Sequence, residues 1–156
     1  KEGMGFIVAM KTLDSSRPGV AAQALGIAQG AFDEALRYSR QRRQFGKAIS
    51  SFQAIQFMLA DMATQVEAAR LMVYQAAWMD DNGKKITKHS AMVKLFCSEM
   101  CNKVAYDAVQ VHGGMGYMTD YPVERFYRDA RITEIYEGTS EIQKTVIAMQ
   151  LQRERR

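Results

Sequence analysis

Residues 52–81 carry apolar side chains at Ile55, Leu59, Met62, Val66, Ala69, Val73 and Ala76, in steps of four and three. That spacing keeps one stripe on one face of an α-helix. About thirty helical residues span about 45 Å. A helix of that length with a single stripe must lie along partners of similar length, because nothing shorter covers the stripe.

The partners are legible on either side. Ala21, Leu25, Ala28, Phe32 and Ala35 form a second stripe, whose small residues permit close helix–helix approach. Met92, Phe96, Met100, Val104 and Ala108 recur every four residues and predict a third helix, from near Thr87 to about Val111. The segment 42–51 interrupts the first period, with Gly46 suited to a helix end and serines to the next start; 80–85, "DDNGKK", is a stop and turn. A shorter helix is expected from Pro122 to about Ala130. In the last helix Ser140 and Gln143 have capping-box spacing, and Ile142, Val146 and Met149 supply the apolar face. The tail 152–156 is charged and is expected to fray. Residues 3–13 mix glycine with apolar residues and read as a short extended arm or edge strand, with Ser16 as N-cap and Pro18 in the first turn of the following helix. The expected architecture is all-α: an up-down four-helix bundle over 14–156, an extra short helix before the last one, and an extended N-terminal arm over 1–13 linking to a preceding domain.

The composition supports this and narrows the function. A chain of 156 residues can bury a core without staples, and only two prolines stand in it. The net charge of +4, from 21 basic and 17 acidic residues, is too diffuse to argue for nucleic acid. No run of eighteen apolar residues occurs, so no membrane span is expected, and no signal peptide is visible. The start at Lys1, without Met, reads as cut from a longer chain. Cys97 and Cys101, four apart, share a helix face and read as core thiols in a reducing compartment. His89 and His112 are not spaced to complete a metal site, and neither follows a Glu at the third preceding position, which excludes a di-iron bundle centre.

Three places carry candidate chemistry. Gly114-Met115-Gly116 is followed by Thr119 rather than glycine, and a helix precedes it, so the dinucleotide fingerprint fails. What remains is a helix C-cap, or bare backbone approaching something large and flat or phosphorylated. Arg42 and Arg43, at a helix end beside an aromatic residue and Gly46, are either solvated or a phosphate site. Glu137 stands before Gly138 and two hydroxyl residues, at a helix restart. It is either a solvent-facing loop carboxylate or a general base beside an oxyanion-holding helix N-terminus.

Four segments in order, "DSSRPGVAAQALGIAQ" (14–29), "RRQFGKAISSFQ" (42–53), "QVHGGMGYMTDYPVER" (110–125) and "RDARITEIYEGTSEIQ" (128–143), resemble the C-terminal domain of the flavin-dependent acyl-CoA dehydrogenases, most closely its short- and medium-chain, butyryl-CoA dehydrogenase-like members. The resemblance covers nearly the whole chain. It implies α,β-dehydrogenation of an acyl-CoA thioester to the trans-2-enoyl-CoA, with FAD taking a hydride and electron-transfer flavoprotein as electron acceptor. It also implies a homo-oligomer, a tetramer in the family, and a bacterial cytoplasmic or mitochondrial matrix setting.

By position, the resemblance makes Glu137 the base that removes the α-proton. Some relatives carry the base at the position of Ser16, where serine cannot serve, which favours Glu137. Asp14, Ser15, Ser16 and Arg17 match the motif that contacts the acyl-CoA, and Gly138 a residue lying against substrate. Arg42 and Gln44 match the segment at the FAD pyrophosphate, and Gln53 a further cofactor contact. Gln110, Gly113 and Gly114 match the loop by which a neighbouring subunit reaches the adenosine end of FAD. Thr139 and Glu141 match cofactor-side contacts after the base. The family's N-terminal helical and middle β-domains have no counterpart here, so the isolated chain is expected to bind FAD weakly and turn over little. The rivals are a helical assembly module without activity of its own and an acyl-CoA oxidase.

Overall fold

The computed structural model describes residues 2–154. Five α-helices carry the fold: α1 (Gly5–Gln41), α2 (Gln53–Asp81), α3 (Thr87–His112), α4 (Val123–Ile132) and α5 (Ser140–Glu154). Two strands of two residues each, β1 (Arg43–Gln44) and β2 (Lys47–Ala48), pair antiparallel between α1 and α2. Phe45 and Gly46 join them with φ of 52° and 78°, the positive values that a tight two-residue hairpin turn demands at both central positions.

Contacts at the helix ends set the directions. The starts of α1 and α3 meet where Thr87 Oγ1 donates to Asp14 Oδ2 at 2.7 Å, and their ends meet where Tyr38 stacks on His112 at 4.1 Å. The two are therefore parallel. Helix α5 runs against α3, because Lys88 near the start of α3 pairs with Glu154 at the end of α5 at 2.7 Å, while Glu99 pairs with Lys144. With α2 returning between the first two long helices, the long helices form an up-down-up-down bundle, the all-α architecture expected.

Close packing follows from small residues. Ala21, Ala24, Ala28, Ala31 and Ala35 of α1 are all fully buried. Helix α4 crosses α1 at Gly30, where an added Cβ would lie 3.1 Å from the Phe126 ring, and it is tied to α3 by Asn102 Nδ2 donating to the Ala130 carbonyl at 3.0 Å. The stripe on α2 is buried at Met62, Val66, Ala69, Val73 and Ala76, and Ile55 and Leu59 pack against its edge.

Several expectations need correction. Residues 5–13 are not an extended arm: they form the first turns of α1, which continues through Pro18. Ser16 is accordingly a mid-helix residue and not an N-cap. An interior proline removes one ladder bond and costs about 3 kcal/mol or more in isolation. Here the flanking turn is held by one local and one tertiary bond, since Asp14 accepts from Arg17 Nη1 at 3.0 Å and from Thr87 on α3. On α3, Met92 is exposed and Phe96 only partly buried, because a strict four-residue repeat drifts around a helix of 3.6 residues per turn. The buried face of α3 instead includes Val93, Lys94, Cys97, Cys101 and Ala105. On α5, Ile142 and Met149 are about half exposed, and the buried positions are Ser140, Gln143 and Gln150. Finally, Ser140 is the first residue of α5, and the cap is Thr139, whose hydroxyl accepts from the Ile142 N–H at 3.5 Å. Of the tail expected to fray, residues 152–154 continue α5, and 155–156 lie outside the described residues, as does Lys1.

Cys97 and Cys101 are free and fully buried, and burial pushes both thiols up to about 12 from an ordinary 9.0. Their folded pKa is raised, so the contribution to stability is complete below 9 and is lost as pH rises from 9 towards 12, where the unfolded chain ionises first. Thermal melts are expected to shift downward across that alkaline window, and a Cys97→Ser, Cys101→Ser double variant is expected to flatten the shift. Native protein is expected to resist thiol reagents near neutral pH and to react on both sulfurs only once unfolded.

Candidate active site

Glu137 sits in the turn between α4 and α5 with a left-handed φ of 56°, an uncommon conformation for a residue with a side chain. Gly138 follows at φ 97°. Two successive positive φ values turn the chain sharply and aim the Glu137 carboxylate back at α1. There Ser16 Oγ donates to Glu137 Oε2, so the side chain is half-buried and held, not free in solvent. No carbonyl of a described residue accepts a hydrogen bond from the Glu137 backbone N–H.

The corner is gripped from behind. Gln143, fully buried one turn into α5, donates through Nε2 to the carbonyls of Glu137 at 3.2 Å and Gly138 at 2.9 Å. Lys94, also fully buried, donates through Nζ to the Gly138 carbonyl at 2.7 Å. Desolvation lowers the Lys94 pKa; the carboxylates of Glu134, Glu137 and Glu141 oppose this, and Arg17 reinforces it. The φ of Gly138 favours glycine, and a Cβ there would meet Gln143 Nε2 at 2.7 Å and press on the amide that holds the turn. Arg17, buried beside the corner, spends Nη1 on Asp14, while its Nε has no partner among the described residues. Tyr136, whose pKa burial raises, donates to Gln23 on α1.

Glu137, Gly138, Ser16, Arg17 and Asp14 therefore converge, as the sequence motifs led one to expect. Ser15 does not join them: it is exposed on α1. Lys94 and Gln143 were missed as site residues. The signal for Lys94 was a charge embedded in "AMVKLFC"; Gln143 was noticed only as a capping partner.

A second group forms at the other end of the bundle. Arg42, Gln44, Gln110, Gly113 and Gly114 line one cleft of about 460 Å³, with Tyr38, Ile49 and His112. Gly113 ends α3 at φ 60° and ψ −139°, a combination essentially restricted to glycine, and so presents bare backbone to the cleft. His112 is buried between Tyr38 and Tyr121, with centroids at 4.1 and 5.3 Å. Its Nδ1 is bonded to the Ala108 carbonyl oxygen at 2.8 Å, its Nε2 has no partner among the described residues, and burial lowers its pKa. Ser16 and Arg42 are separated by about 39 Å along α1 at 1.5 Å per residue. One chain therefore does not bring the acid corner and this cleft together.

The remaining expected cofactor residues lie in neither place. Gln53 is exposed at the start of α2. Thr139 and Glu141 line a third groove, of about 370 Å³, between α4 and α5, with Arg131 and Lys144. Hydrogen bonds from its own backbone N–H and from the Thr139 hydroxyl hold the Glu141 carboxyl below its ordinary value. A further cavity, about 690 Å³ between α3 and α4, contains none of the expected residues. No described helix is long and apolar enough to cross a membrane.

Comparison with known proteins places this arrangement. The family model described as "Acyl-CoA dehydrogenase, C-terminal domain" matches residues 3–152. The acryloyl-CoA reductase (NADH) of Anaerotignum propionicum is 58% identical over 151 residues, which is 97% of this chain and 38% of that protein. The mitochondrial short-chain specific acyl-CoA dehydrogenase of Rattus norvegicus is 56% identical over 151 residues, 97% of this chain and 37% of that protein. The butyryl-CoA dehydrogenase structure from Megasphaera elsdenii superposes with a TM-score of 0.96 at 52% identity, over 97% of this chain and 40% of that one. The chain thus spans about two fifths of the length of the relatives it matches. On the family match and on these identities, the chain belongs to the acyl-CoA dehydrogenase C-terminal domain family.

Proposed function

We propose that this chain is the part of an acyl-CoA dehydrogenase that supplies the α-proton base, Glu137, together with contacts to FAD and to the acyl-CoA. The observation that carries the reading is the Glu137 corner. The carboxylate is half-buried, oriented by Ser16 Oγ, and held on a backbone turn that is gripped by two buried donors. A solvated loop glutamate needs none of that apparatus.

An α-proton beside a thioester is too weakly acidic for a carboxylate acting alone. General-base catalysis contributes about 10²–10⁴-fold, so the developing oxyanion must also be stabilised. The Glu137 backbone N–H, not engaged by any described carbonyl, is the chain's own donor for the thioester oxygen. Asp14, partly exposed and bonded to the buried Arg17 on α1, sets the wall along which the acyl-CoA lies, and Gly138 brings backbone without a side chain against it.

FAD, when bound, takes the β-hydrogen as hydride. The far cleft suits part of such a cofactor. The Arg42 guanidinium pairs with no described carboxylate, and Gly113 and Gly114 offer backbone without side chains. Its separation from Glu137 supports a cofactor shared between copies, with Arg42, Gln44, Gln110, Gly113 and Gly114 serving a neighbour's FAD and Thr139 and Glu141 the chain's own side. A homo-oligomer, a tetramer by family analogy, follows from that division. Leu71, Tyr74 and Trp78, exposed at one-face spacing on α2, give it apolar surface. Electron-transfer flavoprotein is the proposed electron acceptor.

The direct test is anaerobic addition of short saturated acyl-CoA thioesters to the full-length, flavin-loaded parent. Loss of flavin absorbance is the expected result. Absence of bleaching with every thioester tried would favour a helical assembly module. A second reading has specific support, since a 58% identical relative is a reductase. The reverse direction uses the same residues, with Glu137 returning the proton to the α-carbon. Reoxidation of reduced flavin by an enoyl-CoA, compared with reduction by the saturated thioester, distinguishes the physiological direction; rapid oxygen consumption would instead indicate an oxidase.

A further inference from the structure

We propose that Lys94 and Gln143 are positioning residues for Glu137: together they clamp the Glu137–Gly138 turn from the protein interior and so hold the carboxylate on the line of the α-proton. The proposal rests on the reading of Glu137 as the base.

The turn carries two consecutive positive φ values, 56° at Glu137 and 97° at Gly138, and the first is unfavourable for a residue with a Cβ. Left alone it would relax into a commoner turn, swinging the carboxylate away from Ser16. What opposes this is a convergence of donors on two adjacent carbonyls. Gln143 Nε2 reaches both, at 3.2 and 2.9 Å, and Lys94 Nζ reaches the Gly138 oxygen at 2.7 Å. Both donors are fully buried.

Lys94 is the more telling of the two. Burying a lysine costs several kcal/mol unless its charge is paired, and no described carboxylate lies within ion-pair distance of it. A merely structural site on α3 would be served as well by leucine or methionine, which match the neighbouring Val93 and Cys97. The one strong bond that Lys94 makes is to the residue after the proposed base. Gln143 repeats the pattern: an amide on the inner face of α5, where a bundle helix ordinarily presents an aliphatic side chain, with its nitrogen committed to the same turn. The two come from different helices, so the turn is fixed against both α3 and α5. The spare acceptor, Gln143 Oε1, has no partner among the described residues, which fits an amide oriented by what its nitrogen must hold.

The test uses the full-length, flavin-loaded parent with three variants: Lys94→Met, Gln143→Met and Glu137→Gln. Each is assayed for the limiting rate of substrate-driven flavin reduction, for acyl-CoA dissociation constant and for melting temperature. The clamp requires Lys94→Met to lose about 10- to 100-fold in rate, while flavin content, substrate affinity and melting temperature stay near those of the parent. Gln143→Met is required to lose rate in the same way, and it keeps the proposal open to refutation should Lys94→Met not fold. A parental rate in either folded variant overturns the clamp, as does a loss of rate matched by equal loss of affinity or thermal stability. Glu137→Gln separates the two layers: if it keeps the parental rate the base reading fails, whereas if it collapses and the clamp variants do not, only the clamp falls.

Discussion

Replacing Glu137 by glutamine in the full-length, flavin-loaded parent is expected to slow substrate-driven flavin reduction by about 10²–10⁴-fold, the range supplied by a positioned general base. The substitution is nearly isosteric. An amide can still accept a hydrogen bond from Ser16 Oγ through its oxygen, and the backbone turn gripped by Lys94 and Gln143 is untouched. Flavin content, fold and acyl-CoA affinity are therefore expected to persist, and the loss to fall on the rate. The measurement is stopped-flow bleaching at saturating thioester. Undiminished bleaching would remove Glu137 from the reaction. The corresponding change at Ser16, Ser16→Ala, removes one orienting bond and leaves the acid, so its effect is expected to be much the smaller.

The largest expected effect on stability comes from Gly116→Ala. Gly116 lies in the turn after α3, and a Cβ there would stand 2.7 Å from the Val109 carbonyl oxygen and 2.8 Å from His112 Cβ. Backbone cannot retreat as a flexible side-chain tip can, so the turn over 113–117 must move bodily. Overpacking of this kind costs about 1–3 kcal/mol. For a domain of this size each kcal/mol lowers the melting temperature by about 2–4 °C. The displaced turn also carries Gly113 and Gly114 and abuts the Tyr38–His112 stack, so the damage is expected to extend to the 460 Å³ cleft. A fall in melting temperature accompanied by weaker flavin retention in the parent is the expected pair of results. Gly114→Ala is the control for melting temperature alone, because a Cβ at that glycine meets nothing within 4 Å and its φ is not in the left-handed region.

Both substitutions lie in turns, whereas the helices around them follow directly from residue spacing. The four-three stripe on α2, the run of alanines on α1 and the stop at "DDNGKK" dictate long antiparallel helices, because any other conformation scatters those apolar side chains around the chain axis. Bundle class, helix count and the restart at Glu137 were legible for that reason. The motif order was specific enough to identify the family and to group Asp14, Ser16, Arg17, Glu137 and Gly138.

Periodicity was blind wherever a tertiary contact outweighs a local preference. The helix begins at Gly5 and passes through Pro18, and the turn before the proline is tied through Asp14 to Thr87, 73 residues away, a bond that no local rule sees. Helix α5 turns Ser140, Gln143 and Gln150 inward and leaves Ile142 and Met149 about half exposed, and of the three inward residues Gln143 is the one that donates to the turn that α5 abuts. Lys94, buried on α3, donates to the same turn. Spacing alone determined which residues could share a helix face, since 3.6 residues per turn is a property of the backbone itself. Only the packed structure decided which face turned inward, and that the acid corner and the glycine cleft stand at opposite ends, because both depend on bonds between residues far apart in the chain.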